Sequence, residues 1–244
     1  MENRLLGNVK VNVTNRNEIL SKITTRLNEK QKTVILFLNA HCYNIAQKDD
    51  IYRKHINASD FVLNDGIGVE LGAKLFNFRF DENLNGTDFT PQLLEAAAIS
   101  GDSIFLLGGQ PGVAETAKTK LERRIPGLKI VGCSDGYFTH SQKIVEQINQ
   151  SKADIVIVGM GVPLQEKWIY NHKDLIHSTL FVGVGAYIDF ASERIKRAPS
   201  LLRKMRMEWL YRLLHEPKRL WKRNIGSLIF FYYIFKNKSR KKRG

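Results

Sequence analysis

Two stretches of the chain, Ile104-Phe-Leu-Leu107 and Ile155-Val-Ile-Val158, are apolar at every position. A strand with one face in water alternates apolar with polar residues. A continuous apolar run belongs to a strand covered on both faces, as in a parallel sheet held between helices. Extended to 103–107 and 154–158, these runs join five further short strand-like segments at 9–13, 33–38, 61–63, 129–132 and 179–182. Amphipathic, helix-length stretches lie between most of them, over 18–28, 67–76, 88–99, 113–124, 141–150 and 163–172. This alternation predicts an α/β fold, a mostly parallel sheet flanked by helices. A chain of 244 residues is long enough for one such domain and an appendage.

Charge divides the chain unevenly. Of 38 Lys and Arg, 17 follow residue 193, against only two of the 24 acids, Glu208 and Glu216, so this stretch carries +15 and the preceding residues −1. The expected organisation is a near-neutral α/β catalytic domain over 1–193 and a basic, amphipathic, membrane-associating C-terminal appendage over 194–244. Two helices are expected in the appendage, at 201–214 and 217–235, then an unstructured Lys/Arg tail. A polyanionic partner suits such a tail, either nucleic acid or an anionic bilayer met through its Lys/Arg and the Phe230/Phe231/Tyr232 patch. No apolar run approaches the ~20 residues that span a bilayer. The longest, Leu228-Ile-Phe-Phe-Tyr-Tyr-Ile-Phe235, is far shorter. Cys42 and Cys133 form neither a CxxC nor a ligand cluster, which suits inert thiols in a reducing cytoplasm.

Glycines follow several predicted strands, and in parallel α/β sheets ligands lie beyond the carboxyl ends of the strands. Asn64-Asp65-Gly66 closes one strand and opens a helix, so Asp65 serves either as a general base or as a helix cap. Gly108-Gly109-Gln110-Pro111-Gly112 precedes a helix, a setting in which backbone N–H groups can hold phosphate, although a ligand-free tight turn reads the same way. Gln165 and Glu166 fall in the first turn of the helix after Pro163. There they can read hydroxyls or a base, or Glu166 can simply complement the helix dipole. Arg212, Arg219 and Arg223 share one face of the appendage helices, available to lipid, solvent or a diphosphate. No HxxxH, HExxH or DxD pattern occurs, so no metal or other cofactor is expected.

In their order these elements resemble the WecG/TagA/CpsF family of bacterial glycosyltransferases. The resemblance is carried by Leu38-Asn39-Ala40, Asn64-Asp65-Gly66, Asn85-Gly-Thr-Asp88, Leu106-Leu-Gly-Gly-Gln-Pro-Gly112, Asp135-Gly-Tyr-Phe138, Gly159-Met-Gly-Val-Pro-Leu-Gln-Glu166, Gly183-Val-Gly185, Asp189-Phe190, Arg197-Ala-Pro199, Glu208-Trp-Leu-Tyr-Arg-Leu213 and Glu216-Pro-Lys-Arg219. It implies a fold of the GT-E type and an inverting, metal-independent transfer of a sugar, such as N-acetylmannosamine, from a UDP-sugar donor. The implied acceptor is a polyprenyl-diphosphate-linked sugar, met at the inner face of the cell membrane by a cytoplasmic, peripheral enzyme that can form homo-oligomers. The family pattern makes Asp65 the catalytic base and brings Arg212 and Arg219, with Arg223, to the diphosphate. It places Gln165 at the substrate pocket with Asn39 lining it, and Asn64, Gly108, Gly109 and Glu166, from their positions at the strand ends, are expected to bind substrate beside them. Phe37 stands where many members carry Thr. Two other classes remain: a nucleic-acid-binding protein with a basic tail, which no recognised binding motif supports, and a non-catalytic UDP-sugar-binding regulator.

Overall fold

A computed structural model describes residues 1–195, 197–199, 211 and 217–241, with side chains in the last segment described at 226 and 228–239. Six strands form one parallel sheet in the order β4-β3-β8-β7-β5-β6. They are β3 (Thr33–Leu38), β4 (Phe61–Asn64), β5 (Ser103–Gly108), β6 (Lys129–Ser134), β7 (Ile155–Gly159) and β8 (Leu180–Gly183). The continuous apolar runs are explained by two separate cores. In β7, Val156 and Val158 enter one core while Ile155 and Ile157 enter the other; in β3, Val34, Leu36 and Leu38 oppose Ile35 and Phe37 in the same way.

The first core is covered by α2 (Ala40–Ala46), α3 (Asp50–Ala58), α4 (Ile67–Leu75), α7 (Ser141–Ser151) and α8 (Leu164–His172). The second is covered by α1 (Arg16–Asn28), α5 (Gly86–Ser100), α6 (Val113–Arg124) and α9 (Tyr187–Ala191). Before residue 193 the predicted elements reappear with ends shifted by a residue or two. The sequence pattern did not foresee α2, α3 and α9. The first two are short, and each starts at a polar cap: the Asn39 side chain accepts from the Cys42 N–H, and that of Asp49 from the Tyr52 N–H.

An antiparallel hairpin, β1 (Glu2–Leu6) and β2 (Val9–Val13), lies beside the outer strand β4. Asn12, fully buried, joins them: its Oδ1 accepts from the Val62 N–H at 2.6 Å and its Nδ2 donates to Asn3 Oδ1 at 2.7 Å. A backbone donor on the sheet edge is thereby satisfied by a side chain.

The last helix, α10 (Pro217–Lys241), corrects two expectations. The predicted unstructured tail is helical to Lys241, because Lys and Arg are good helix formers and no Gly or Pro interrupts them before Gly244. Phe230, expected on a lipid-facing patch, is fully buried with Ile234 in the first core. Gly72 on α4 makes room for both: a Cβ there would approach Phe230 Cζ to 2.9 Å. Burying two such side chains contributes about 1.5–3 kcal/mol each. Polar contacts flank the seat. Asn44 Nδ2 donates to the Gly226 carbonyl at 2.6 Å, and Asn237 Nδ2 donates to Tyr43 OH at 2.8 Å. The predicted helix over 201–214 lies outside the described residues, apart from Tyr211, which is helical.

Candidate active site

A cleft of about 1590 Å³ runs across the carboxyl edge of the sheet. Its two ends differ in chemistry. Near β3, β4 and β8 the walls carry side chains, among them Phe37, Asn39, His41, Asp65 and Gln165. Near β5, β6 and β7 they are built largely of turns that contain Gly109, Gly136, Gly159 and Gly161.

Asp65 leaves β4 at the cleft wall, its backbone N–H donating to the Leu38 carbonyl at 2.8 Å. The helix-cap alternative is not realised, since Gly66 occupies the N-cap of α4 without a side-chain cap bond. Asn39 holds the carboxylate. Its Oδ1 caps α2 by accepting from the Cys42 N–H at 3.0 Å, which turns Nδ2 toward Asp65 Oδ2 at 3.2 Å. The backbone cap thus fixes which end of the amide faces the acid.

Gln165 is fixed as firmly. Its Oε1 accepts from the Gly185 N–H at 2.9 Å, and its Nε2 donates to Glu166 Oε1 at 2.8 Å. Gly183 leaves space for this carboxamide, for a Cβ there would come within 3.1 Å of Nε2.

Among the glycine turns, Gly108 has φ +146°, and a Cβ on it would meet the Gly159 carbonyl oxygen at 2.3 Å. Only glycine lets β5 and β7 close at this point. The neighbouring Gly109 N–H donates to that same carbonyl at 3.3 Å, so it is already engaged within the turn. Gly112 begins α6 in the left-handed region, φ +83°.

Asp65, Asn39, Gly109 and Gln165 are therefore brought together in the cleft. Three other expected substrate contacts are not. Asn64 is fully buried, with neither end of its amide meeting a protein partner among the described residues; it still belongs to the strand, whereas Asp65 lies beyond it. Gly108 lies beneath the turn rather than on the cleft surface. Glu166 is 1% exposed and stands behind Gln165. Burial pushes its carboxyl up to about 7, against opposing hydrogen bonds from Gln165 and its own backbone. The side chains of Arg212, Arg219 and Arg223 lie outside the described residues.

Several further residues, some of them within the motifs, stand at or beside the cleft. Tyr137, after β6, is 70% exposed at the rim. Thr87 lies at the start of α5. Arg194 pairs with Asp189 at 3.0 Å, and both line the cleft. Phe37 packs edge-on against Phe89, centroids 6.1 Å apart. Arg197, at the start of the basic stretch, donates to Asp88 Oδ1 at 2.7 Å and so ties that stretch to the first turn of α5. No group of three or more His, Cys, Asp or Glu side chains suited to a metal ion occurs among the described residues.

A parallel sheet with a carboxylate and two clamped amides at one end of its cleft, and glycine turns at the other, defines an α/β enzyme of the ligand-at-the-strand-ends class. Residues 4–244 match the model of the Glycosyl transferase WecG/TagA/CpsF family, and the chain belongs to that family. Among its relatives, the N-acetylglucosaminyldiphosphoundecaprenol N-acetyl-beta-D-mannosaminyltransferase of Bacillus subtilis (strain 168) is 34% identical over 216 residues, 88% of this chain and 84% of that one. The enzyme of the same description from Staphylococcus aureus (strain MW2) is 32% identical over 220 residues, 87% of this chain and 85% of that one. The chain is thus a glycosyltransferase.

Proposed function

We propose that the enzyme transfers N-acetylmannosamine or a related hexose from a UDP-sugar to an undecaprenyl-diphosphate-linked sugar, with inversion and without a metal ion, in cell-surface polysaccharide synthesis. The fold is then of the GT-E type. The relatives' shared activity supports this substrate pair, and one observation in the site carries the chemistry: Asp65 stands at the cleft wall with its carboxylate held by Asn39. Asp65 removes the proton from the acceptor hydroxyl as that oxygen attacks the anomeric carbon. The bond to the UDP oxygen breaks on the opposite face, and UDP departs with the bonding pair. A base in this role supplies ~10²–10⁴-fold. Arg212 and Arg219, aided by Arg223, meet the charge growing on the diphosphate, and Gln165 contacts the substrates from the cleft floor. The test is transfer from UDP-N-acetylmannosamine to a short-chain prenyl-diphosphate N-acetylglucosamine, with and without EDTA. Loss of turnover in EDTA refutes the metal-free route, and near-wild-type turnover by Asp65→Asn removes Asp65 from the base role.

The residues after 193 act as an appendage that holds the enzyme on the cytoplasmic face of the membrane, against anionic lipid rather than nucleic acid. Leu228, Tyr232 and Phe235 support this, being 75%, 61% and 55% exposed and spaced to share one side of α10. Lys236 lies 5.8 Å from the centre of the Tyr232 ring. Apolar side chains with neighbouring cations suit a lipid interface. Because Phe230 and Ile234 seat this helix in the core, the test keeps the full chain. Lys236→Gln/Lys238→Gln/Tyr232→Ser should sediment less with phosphatidylglycerol vesicles than wild type, and equal sedimentation rejects this face.

A further inference from the structure

Behind the cleft floor lies a buried polar group that the transfer chemistry does not use. Glu166 Oε1 accepts from Gln165 Nε2, while Oε2 is buried with no protein partner among the described residues. Two neighbours influence the same space. Cys42 on α2 is 1% exposed, its thiol pushed up to about 12 by burial and then by the Glu166 charge. Tyr52 on α3 is fully buried, its hydroxyl set against that thiol and held well above its usual range, by burial first. Burying a carboxyl in such a place costs free energy, which its one hydrogen bond, to Gln165, offsets only in part.

The group it serves is Gln165. The Gly185 N–H can only donate, so the Gln165 atom facing it must be the carbonyl oxygen. Nε2 is then forced to the other side, where Glu166 is its acceptor. With the oxygen and one amide hydrogen committed, the second Nε2 hydrogen is what Gln165 can offer a substrate. We propose that Glu166 is a positioning residue, which orients the Gln165 carboxamide toward the substrates through the Nε2–Oε1 hydrogen bond without touching them itself. This rests on the reading of Gln165 as a substrate contact. Without Glu166, the carboxamide keeps its anchor at Gly185 but can rotate its amine end, and misplacement on that scale costs up to ~10²-fold in rate.

The test is a double-mutant cycle on kcat/KM for transfer to the prenyl-diphosphate acceptor, using Gln165→Ala, Glu166→Leu and the double variant, each checked for folding by circular dichroism. If Glu166 acts only through Gln165, Glu166→Leu loses ~10–100-fold in the wild-type background and adds less than ~3-fold in the Gln165→Ala background. A Glu166→Leu loss that repeats in full in the double variant overturns the proposal and marks Glu166 as merely structural. If Glu166→Leu does not fold, Glu166→Gln decides: it keeps an acceptor oxygen in the same place and should stay within ~3-fold of wild type. A loss as deep as that of Gln165→Ala overturns the acceptor role. An unimpaired Gln165→Ala would instead remove Gln165 from the substrate site, a different failure from additivity of two impaired variants.

Discussion

The two ends of the cleft solve different problems with the same sheet edge. Around β3, β4 and β8 the working groups are side chains, each locked by a backbone group: Asn39 by the first turn of α2, Gln165 by the Gly185 N–H. Around β5, β6 and β7 turns with Gly109, Gly136 and Gly161 form much of the wall beside Tyr137 and Met160, and the Gly108–Gly159 approach leaves no room even for a methyl group. The first arrangement suits a step in which a proton must move at a fixed place. The second suits a ligand that needs close access to backbone. In the mechanism proposed above, the first end governs turnover, while the Gly108–Gly159 approach at the second governs whether the edge closes at all.

The sharpest way to break this contrast is Asp65→Asn, which should lower kcat by about 10³-fold while UDP affinity, measured by calorimetry, changes less than about 2-fold. An equal loss of UDP binding would mean that the side-chain end also holds the nucleotide.

The next effect is one of pH on stability. Burial holds the Glu166 carboxyl at about 7 in the folded chain, above the 4.5 usual for a glutamate in water. Between these values the folded state binds more protons than the unfolded state, so stability falls as pH rises and the full cost is reached above pH 7. The cost is on the order of 3 kcal/mol. Cys42 and Tyr52, both raised, remain neutral through this window and do not oppose it. Urea unfolding at pH 5 and pH 8 should show the decline, and Glu166→Gln should flatten it; an unchanged slope removes Glu166 as its source.

At the glycine end, Gly108→Ala should destabilise the fold by about 2 kcal/mol or more, because it combines a forbidden φ with a backbone clash. A variant of wild-type stability would show that the β5–β7 approach can relax. The smallest effect is expected from Asn39→Ala. Losing the α2 cap costs about 1 kcal/mol in urea unfolding, and freeing Asp65 lowers kcat by about 10-fold. Loss of stability with unchanged kcat would make Asn39 a cap alone.

Much of this arrangement could be read directly from the residues. The apolar runs of β5 and β7 announced a sheet covered twice, and the motif order carried the resemblance to the glycosyltransferase family. Three placements that the motifs did not reveal share a cause. Phe230 looked like part of an exposed aromatic patch, yet α10 turns it inward over Gly72 while Tyr232 faces out. Asn64 and Glu166 were expected at the substrates, but Asn64 stays within β4 and Glu166 stands behind Gln165, both buried.

The sequence by itself determined the layers, the charge division and the stretches from which the cleft is made, because these depend on periodicity and composition summed over many residues. Which member of each adjacent pair reaches the cleft was decided only by the tertiary structure. Successive side chains point to opposite faces of a strand and about 100° apart on a helix, so a single step at an element's end exchanges cavity for core. Where each element ends is set by packing and by caps drawn from distant parts of the chain, such as the Gly185 N–H that anchors Gln165.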